Sequence, residues 1–405
     1  MRTGIRDGKL AFQLKDIAIP SIIIYIIIAI CFDGTKLSPV PLASFGIYLC
    51  AGVCGVCALL SKRLSLRPIY FYVLLFGLAL SLSTLYSPAK ESLQRMYLYR
   101  FWTGVVLMIL VCNSITCRKD IEKLLHAVIF SGVLLSILIY AEYGIENIAD
   151  AEERVLDELS DINMLGVYCA FAIIISAVYM FTKKRFKLLY LAAIVVMTPF
   201  LLFTGSRKAV LQVAVGVLTF VLYYSRNKKL LGRVVLIGAI IAVGVILINY
   251  VPAFSVINEH FGDMGNLLSG EGELDQGDIN RMEYLELGWQ YFLQKPFIGN
   301  GFCSSYYYLG FYTHCNYVEL LMNNGILGFG IYYIMRLSVL FKGFKYGSRN
   351  DVLSGLIIAF SIALLFCDIG VVTYYNRFLF IIIAICARAA DILREEKQAL
   401  CQEKL

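Results

Sequence analysis

Three side chains in this sequence combine reactive chemistry with a suggestive setting: His314, Arg281 and Arg207. A neutral imidazole near pH 7 can take a proton from a hydroxyl. A guanidinium keeps its charge and offers a planar fork that matches phosphate oxygens. His314 lies in Thr313-His-Cys-Asn316, and Asn316 with Glu319 has capping-box spacing, which predicts a helix starting there. A histidine just outside a helix N-terminus is disfavoured as imidazolium by the helix dipole, so it stays neutral and able to accept a proton. A histidine hydrogen-bonded to loop backbone fits the same spacing equally well. Asn280 with Glu283 repeats the box, which makes Arg281 the first residue of a helix ending before Pro296. On that helix Met282, Leu285, Trp289 and Phe292 form an apolar face, with Arg281, Tyr284, Gly288 and Tyr291 beside it. An arginine beside free helix N–H groups suits a phosphate; taken alone, a salt-bridged arginine is the simpler account. The turn Thr204-Gly-Ser-Arg207-Lys208 puts a third cation at a helix start, with Ser206 or Thr204 as its cap. Together these residues, with Ser206, Lys208, Asn280, Tyr284 and Asn316 in support, read as a site for an anionic lipid headgroup with a neutral base beside it.

Metal and nucleotide chemistry find no footing. The sequence has no HExxH and no Walker loop, and its single Cys-x-x-Cys, Cys54 to Cys57, lies inside an apolar run with no second pair, so neither a metal nor another cofactor is expected. The acidic stretch 145–163 could hold a divalent cation, but its carboxylates lack ligand spacing, and a solvated loop is the simpler reading. His126, at one end of an apolar run, reads as structural, and His260 has no recognisable partner.

These residues must be positioned by a membrane protein. Of the 405 residues, 59% are hydrophobic and only 16% charged, and mean hydropathy is +0.74. So little charge could not cover a soluble surface. The net charge of +7 therefore points to cytoplasmic helix ends rather than to nucleic acid. Most of the twelve cysteines fall in apolar runs and act as small hydrophobes; Cys303 and Cys315 could pair. Apolar runs at about 17–32, 41–60, 68–86, 101–116, 124–143, 164–181, 188–204, 208–225, 234–250, 322–341, 352–367 and 371–387 predict about twelve spans in one integral domain, 1–405. The first run lacks a cleavage site and is read as a helix rather than a signal peptide. With both termini on one side, that side collects 26 of the 36 Lys and Arg residues, which makes it cytoplasmic. The 251–316 stretch then forms a large extracytoplasmic loop. Its acidic half, Ser269–Asp278, reads as a solvated loop, and Ser87–Arg100 as a plain connection.

Over roughly 154–335 the chain resembles the bacterial O-antigen ligase and polysaccharide polymerase family. The carriers are Arg154 to Asn163, Thr204-Gly-Ser-Arg207, Asn280-Arg281, Trp289, Pro296-x-x-Gly-x-Gly301, and His314-x-Asn316 followed by Glu319, Gly325 and Gly328. The resemblance implies an all-α polytopic fold like the C-type glycosyltransferases, with the loop capping a cavity. It implies an inner-membrane enzyme that acts outside the cytoplasm by metal-independent, inverting transfer from an undecaprenyl-diphosphate-linked glycan. On matching positions, Arg207 and Arg281 look like diphosphate binders and His314 like the base that activates the acceptor hydroxyl. Cys315 is an unusual neighbour in that motif. Polymerisation of repeat units for capsule, exopolysaccharide or O-antigen is the leading expectation. Ligation of the glycan to lipid A core, cell wall or protein is the alternative. A transporter of lipid-linked sugars would show repeat symmetry and mid-span charges, whereas this sequence shows no repeat and its spans are nearly charge-free.

Overall fold

The computed structural model describes residues 3–32, 42–61, 64–143, 162–183, 185–224 and 276–403, with side chains described from residue 17. Among these residues the fold is wholly α-helical. The helices are α1 (Thr3–Phe32), α2 (Leu42–Ser61), α3 (Pro68–Ser83), α4 (Glu91–Ser114), α5 (Arg118–Tyr143), α6 (Ile162–Thr182), α7 (Lys187–Phe203), α8 (Arg207–Tyr224), α9 (Gln276–Gln294), α10 (Ser304–Tyr308), α11 (Asn316–Tyr346), α12 (Val352–Cys367) and α13 (Arg377–Gln402). Seven helical segments are long and apolar enough to cross a membrane, and α1 from Ile17, α7 and α12 are shorter apolar helices. These ten coincide with expected spans. The run 234–250 lies outside the described residues, as do His260, Ser269–Asp275 and all but the end of the acidic stretch 145–163. The last expected span, 371–387, is corrected: 371–376 is a turn, and α13 begins at Arg377. Its first two-thirds are buried, and its end, from Glu395, is charged and exposed.

The bundle is organised around α6. Its sequence from Ile162 to Tyr179 has no charged residue and several small ones, so neighbouring helices approach on every side. Of its most apolar window 89% is buried, against 28–56% for the other spans, whose outward faces are free for lipid. Helices α5, α7, α8 and α12 pack against it, α4 pairs with α13, and α11 packs on α3, α12 and α13. One end of the bundle is tied by ion pairs: Arg67 and Lys342 share Asp391 at 2.7 and 3.0 Å, and Arg118 bridges Asp351 and Glu396.

Helix α11 is interrupted at Gly325, whose φ of 62° breaks the hydrogen-bond ladder. The turn 296–301 repairs the gap. The amides of Asn300 and Gly301 donate to the carbonyls of Met322 and Asn323, and the amides of Ile326 and Leu327 donate to those of Pro296 and Phe297. This is why glycine stands on both sides of the contact. A Cβ on Gly299 would lie 2.5 Å from the Asn323 backbone, and one on Gly325 would lie 2.4 Å from that of Phe297.

Candidate functional site

His314 precedes α11 in the left-handed region, at φ 56°. That conformation costs a non-glycine residue about 1–2 kcal/mol and persists only where its surroundings enforce it. They do so on both flanks. The Thr313 amide donates to Glu319 Oε2 at 2.9 Å and its hydroxyl donates to the Cys315 carbonyl. The Asn316 amide donates to the Asp368 carbonyl at 2.8 Å. Glu319 is itself buried and also accepts from Ser305 Oγ and Asn323 Nδ2, which ties α10 to the start of α11.

The helix begins at Asn316 as the spacing predicted, but the capping box does not form. Cys315 is the N-cap residue, without a side-chain bond. The Asn316 side chain is drawn inward instead. Its Oδ1 accepts from the amides of Thr373 and Tyr374, and its Nδ2 donates to the Tyr333 hydroxyl. Asn316 thus pins the 368–376 turn beneath His314 rather than lining the site. The same turn accepts a hydrogen bond from Lys208 Nζ through the Gly370 carbonyl, so Lys208 is held beside His314.

The second box is corrected as well. Helix α9 starts at Gln276, so Asn280 and Arg281 lie within the helix, not at its N-terminus; the end before Pro296 is as expected. Gly288 seats α9 against Val318 and Thr313, while Met282, Trp289 and Leu293 point outward. This orientation turns Tyr284 toward His314, ring centres 6.4 Å apart. Helix α8 does start at Arg207. Ser206 lends its carbonyl to the Ala209 and Val210 amides, but its buried hydroxyl bonds to nothing among the described residues. Cys303 and Cys315 are both buried free thiols rather than a disulfide. His126 is structural, bonded to the Glu122 carbonyl and the Tyr190 hydroxyl.

His314 and Lys208 face a cavity of about 530 Å³. Its lining also includes Arg100 from α4, Asn163 and Tyr168 from α6, and Arg377 from α13. Among the described residues the lining contains three cations and no carboxylate, so it suits an anionic ligand. Tyr312 and Phe311 flank the imidazole at 4.3 and 5.4 Å between ring centres. Burial first, then the positive charges of Lys208 and Arg281, push its pKa down to about 4. The ring is therefore neutral at physiological pH, by burial and like charge, whereas the sequence argument relied on a helix dipole. Arg207 and Arg281 do not line the cavity itself. The cavity's Arg100 falls in what read as a plain connecting loop; α4 begins at Glu91 and carries it into the cavity. No signal in the sequence linked Arg100 or Arg377 to His314, since only the fold brings α4, α11 and α13 together.

Residues 192–333 match a family model described as O-antigen ligase. That stretch, about a third of the chain, is similar to the O-antigen ligase family. No curated protein matches the chain. The O-antigen ligase match runs from α7 into α11 and so contains Arg207, Lys208, Arg281 and His314. Arg100, Arg377 and the turn at Asp368 lie outside it, yet they complete the cavity around the O-antigen ligase residues.

Proposed function

We propose that this protein polymerises undecaprenyl-diphosphate-linked oligosaccharide repeat units on the extracytoplasmic face of a bacterial inner membrane, for capsule, exopolysaccharide or O-antigen. The observation that carries this reading is a neutral histidine, under the positive charge of Lys208 and Arg281, at a cavity whose described lining holds three cations and no carboxylate. His314 takes the proton from the acceptor hydroxyl as its oxygen attacks the anomeric carbon of the donor sugar. The bond from that carbon to the diphosphate breaks, and the diphosphate leaves with the electron pair, with inversion at carbon. Arg207, Arg281 and Lys208 stabilise the charge on the leaving group, which is the role a divalent cation fills elsewhere. A base with a pKa near 4 is weak in the free protein. The donor's own diphosphate would offset the charges that depress it, so the base strengthens when substrate is bound.

The charge count, with 26 of the 36 Lys and Arg residues on the side of the termini, supports the extracytoplasmic placement. The family model's description favours a second reading, ligation of a finished glycan to lipid A core, cell wall or protein. One variant decides between them. His314→Ala should fold and reach the membrane yet abolish transfer. Single repeat units left on the acceptor mark a polymerase, whereas full-length polymer retained on the lipid carrier marks a ligase. Normal long-chain product from His314→Ala would refute the base assignment.

A further inference from the structure

The part of the cavity wall outside the O-antigen ligase match carries cations of its own. Arg100 on α4 and Arg377, the first residue of α13, both line the cavity. Arg377 reaches across to α4, where its Nε donates to Thr103 Oγ1 at 3.0 Å and its guanidinium lies 5.3 Å from the centre of the Tyr99 ring. Thr103 is one turn beyond Arg100, so the two guanidiniums gather on one side of α4. Asn376 fixes the approach of Arg377, because its side chain caps α13 at the Leu379 amide and donates to the Tyr168 hydroxyl. The Arg100 guanidinium lies 5.6 Å from the centre of the Tyr97 ring and makes no hydrogen bond or ion pair among the described residues. Beside it, Tyr97 shares a 2.6 Å hydroxyl contact with Tyr306 and stands 4.4 Å from the ring of Tyr375. Like charges on one helix side oppose each other, and no carboxylate in the cavity lining offsets them. An oxyanion between two planar forks would satisfy both, with tyrosine faces and hydroxyls beside it to hold a sugar.

We propose that Arg100 and Arg377 form a second oxyanion subsite that seats the acidic group of the acceptor, while Arg207, Lys208 and Arg281 hold the donor diphosphate and His314 takes the proton of the acceptor hydroxyl. This rests on the glycan-transfer reading above. The acid is either the diphosphate of a second lipid-linked glycan or a carboxylate on its sugar, which present the same oxygens to the same forks.

The full-length protein in lipid nanodiscs can be titrated with farnesyl diphosphate and with a glucuronate-terminated disaccharide. Wild type is expected to bind two equivalents of farnesyl diphosphate. Arg100→Gln with Arg377→Gln should weaken one of them by about tenfold or more, as expected for the loss of charge-assisted bonds. Arg207→Gln with Arg281→Gln should weaken the other. Because Arg100 is exposed and its guanidinium holds no hydrogen bond or ion pair among the described residues, Arg100→Gln alone keeps the fold and should show the effect in part. If the Arg100 variants lose the disaccharide and leave farnesyl diphosphate unchanged, the subsite stands and its ligand is an acidic sugar. Unchanged binding of both probes in the single and double variants overturns the subsite. If neither pair of variants alters farnesyl diphosphate binding, the glycan-transfer reading fails; the subsite then stands only if the disaccharide is lost.

Discussion

Binding of a diphosphate should raise the pKa of His314. In the free protein burial and the charges of Lys208 and Arg281 hold it at about 4. At pH 6 only about one ring in a hundred is then protonated, against roughly three in four for an ordinary histidine. An anion seated on those two cations at about 8 Å, with an effective dielectric near 20, is worth about 2 kcal/mol, or roughly 1.5 pKa units. The assay is a ¹⁵N NMR titration of histidine-labelled protein in nanodiscs, with and without pyrophosphate. The chain has three histidines, and the His314 signal is the one lost in His314→Asn. A midpoint near 6.5 in the free protein would refute the account of its environment. A low midpoint that pyrophosphate leaves unmoved would refute substrate-assisted basicity. The same shift fixes a stability trend. A histidine depressed by folding costs nothing above about pH 6.5 and destabilises the fold as pH falls from there toward 4. Lys208→Met should lessen that acid sensitivity, read as the difference in unfolding temperature between pH 7.5 and 5.

Three further outcomes are expected. Arg207→Lys and Arg281→Lys should each lower glycan transfer by about tenfold or more, because an ammonium cannot replace a bidentate fork; full turnover in both would exclude diphosphate clamping. Glu319→Ala strands the Thr313 amide, the Ser305 hydroxyl and the Asn323 amide, and should cost about 2–5 kcal/mol by thermal unfolding in detergent. Gly299→Ala drives a methyl into the Asn323 backbone from a residue at φ 72°. A loss of about 3 kcal/mol or more is expected, and near-wild-type stability would show that the turn and α11 are not in close register.

The bundle was legible where a single run of residues decides the outcome. Charge-free apolar stretches gave helices because no other structure satisfies their backbone in lipid. Pro296 stopped α9, and Arg207 opened α8 after Ser206. Neither capping box forms, although the first does mark a helix start, and the two fail for different reasons. At Asn316 the amides of Thr373 and Tyr374, more than fifty residues on, outbid the helix's own N–H groups for the same oxygen. At Asn280 the helix had already begun. The neutral state of His314 was anticipated, but its cause was not, since burial and the nearness of Lys208 depend on the 368–376 turn. Nothing within their own segments marks Arg100 and Arg377 as facing one cavity.

The interruption of α11 at Gly325 has a consequence for biogenesis. A helix with open amides and carbonyls at mid-length is costly in hydrocarbon, since each unmet backbone group is worth several kcal/mol. Helix α11 therefore cannot settle into the bilayer as an independent unit. Its missing partners are supplied by residues 296–301, which leave the ribosome before it does. The turn must therefore be at hand when the two half-helices pack. Loop and helix thus mature together, and shortening or delaying the 296–301 turn would be felt as failed membrane insertion before any loss of catalysis.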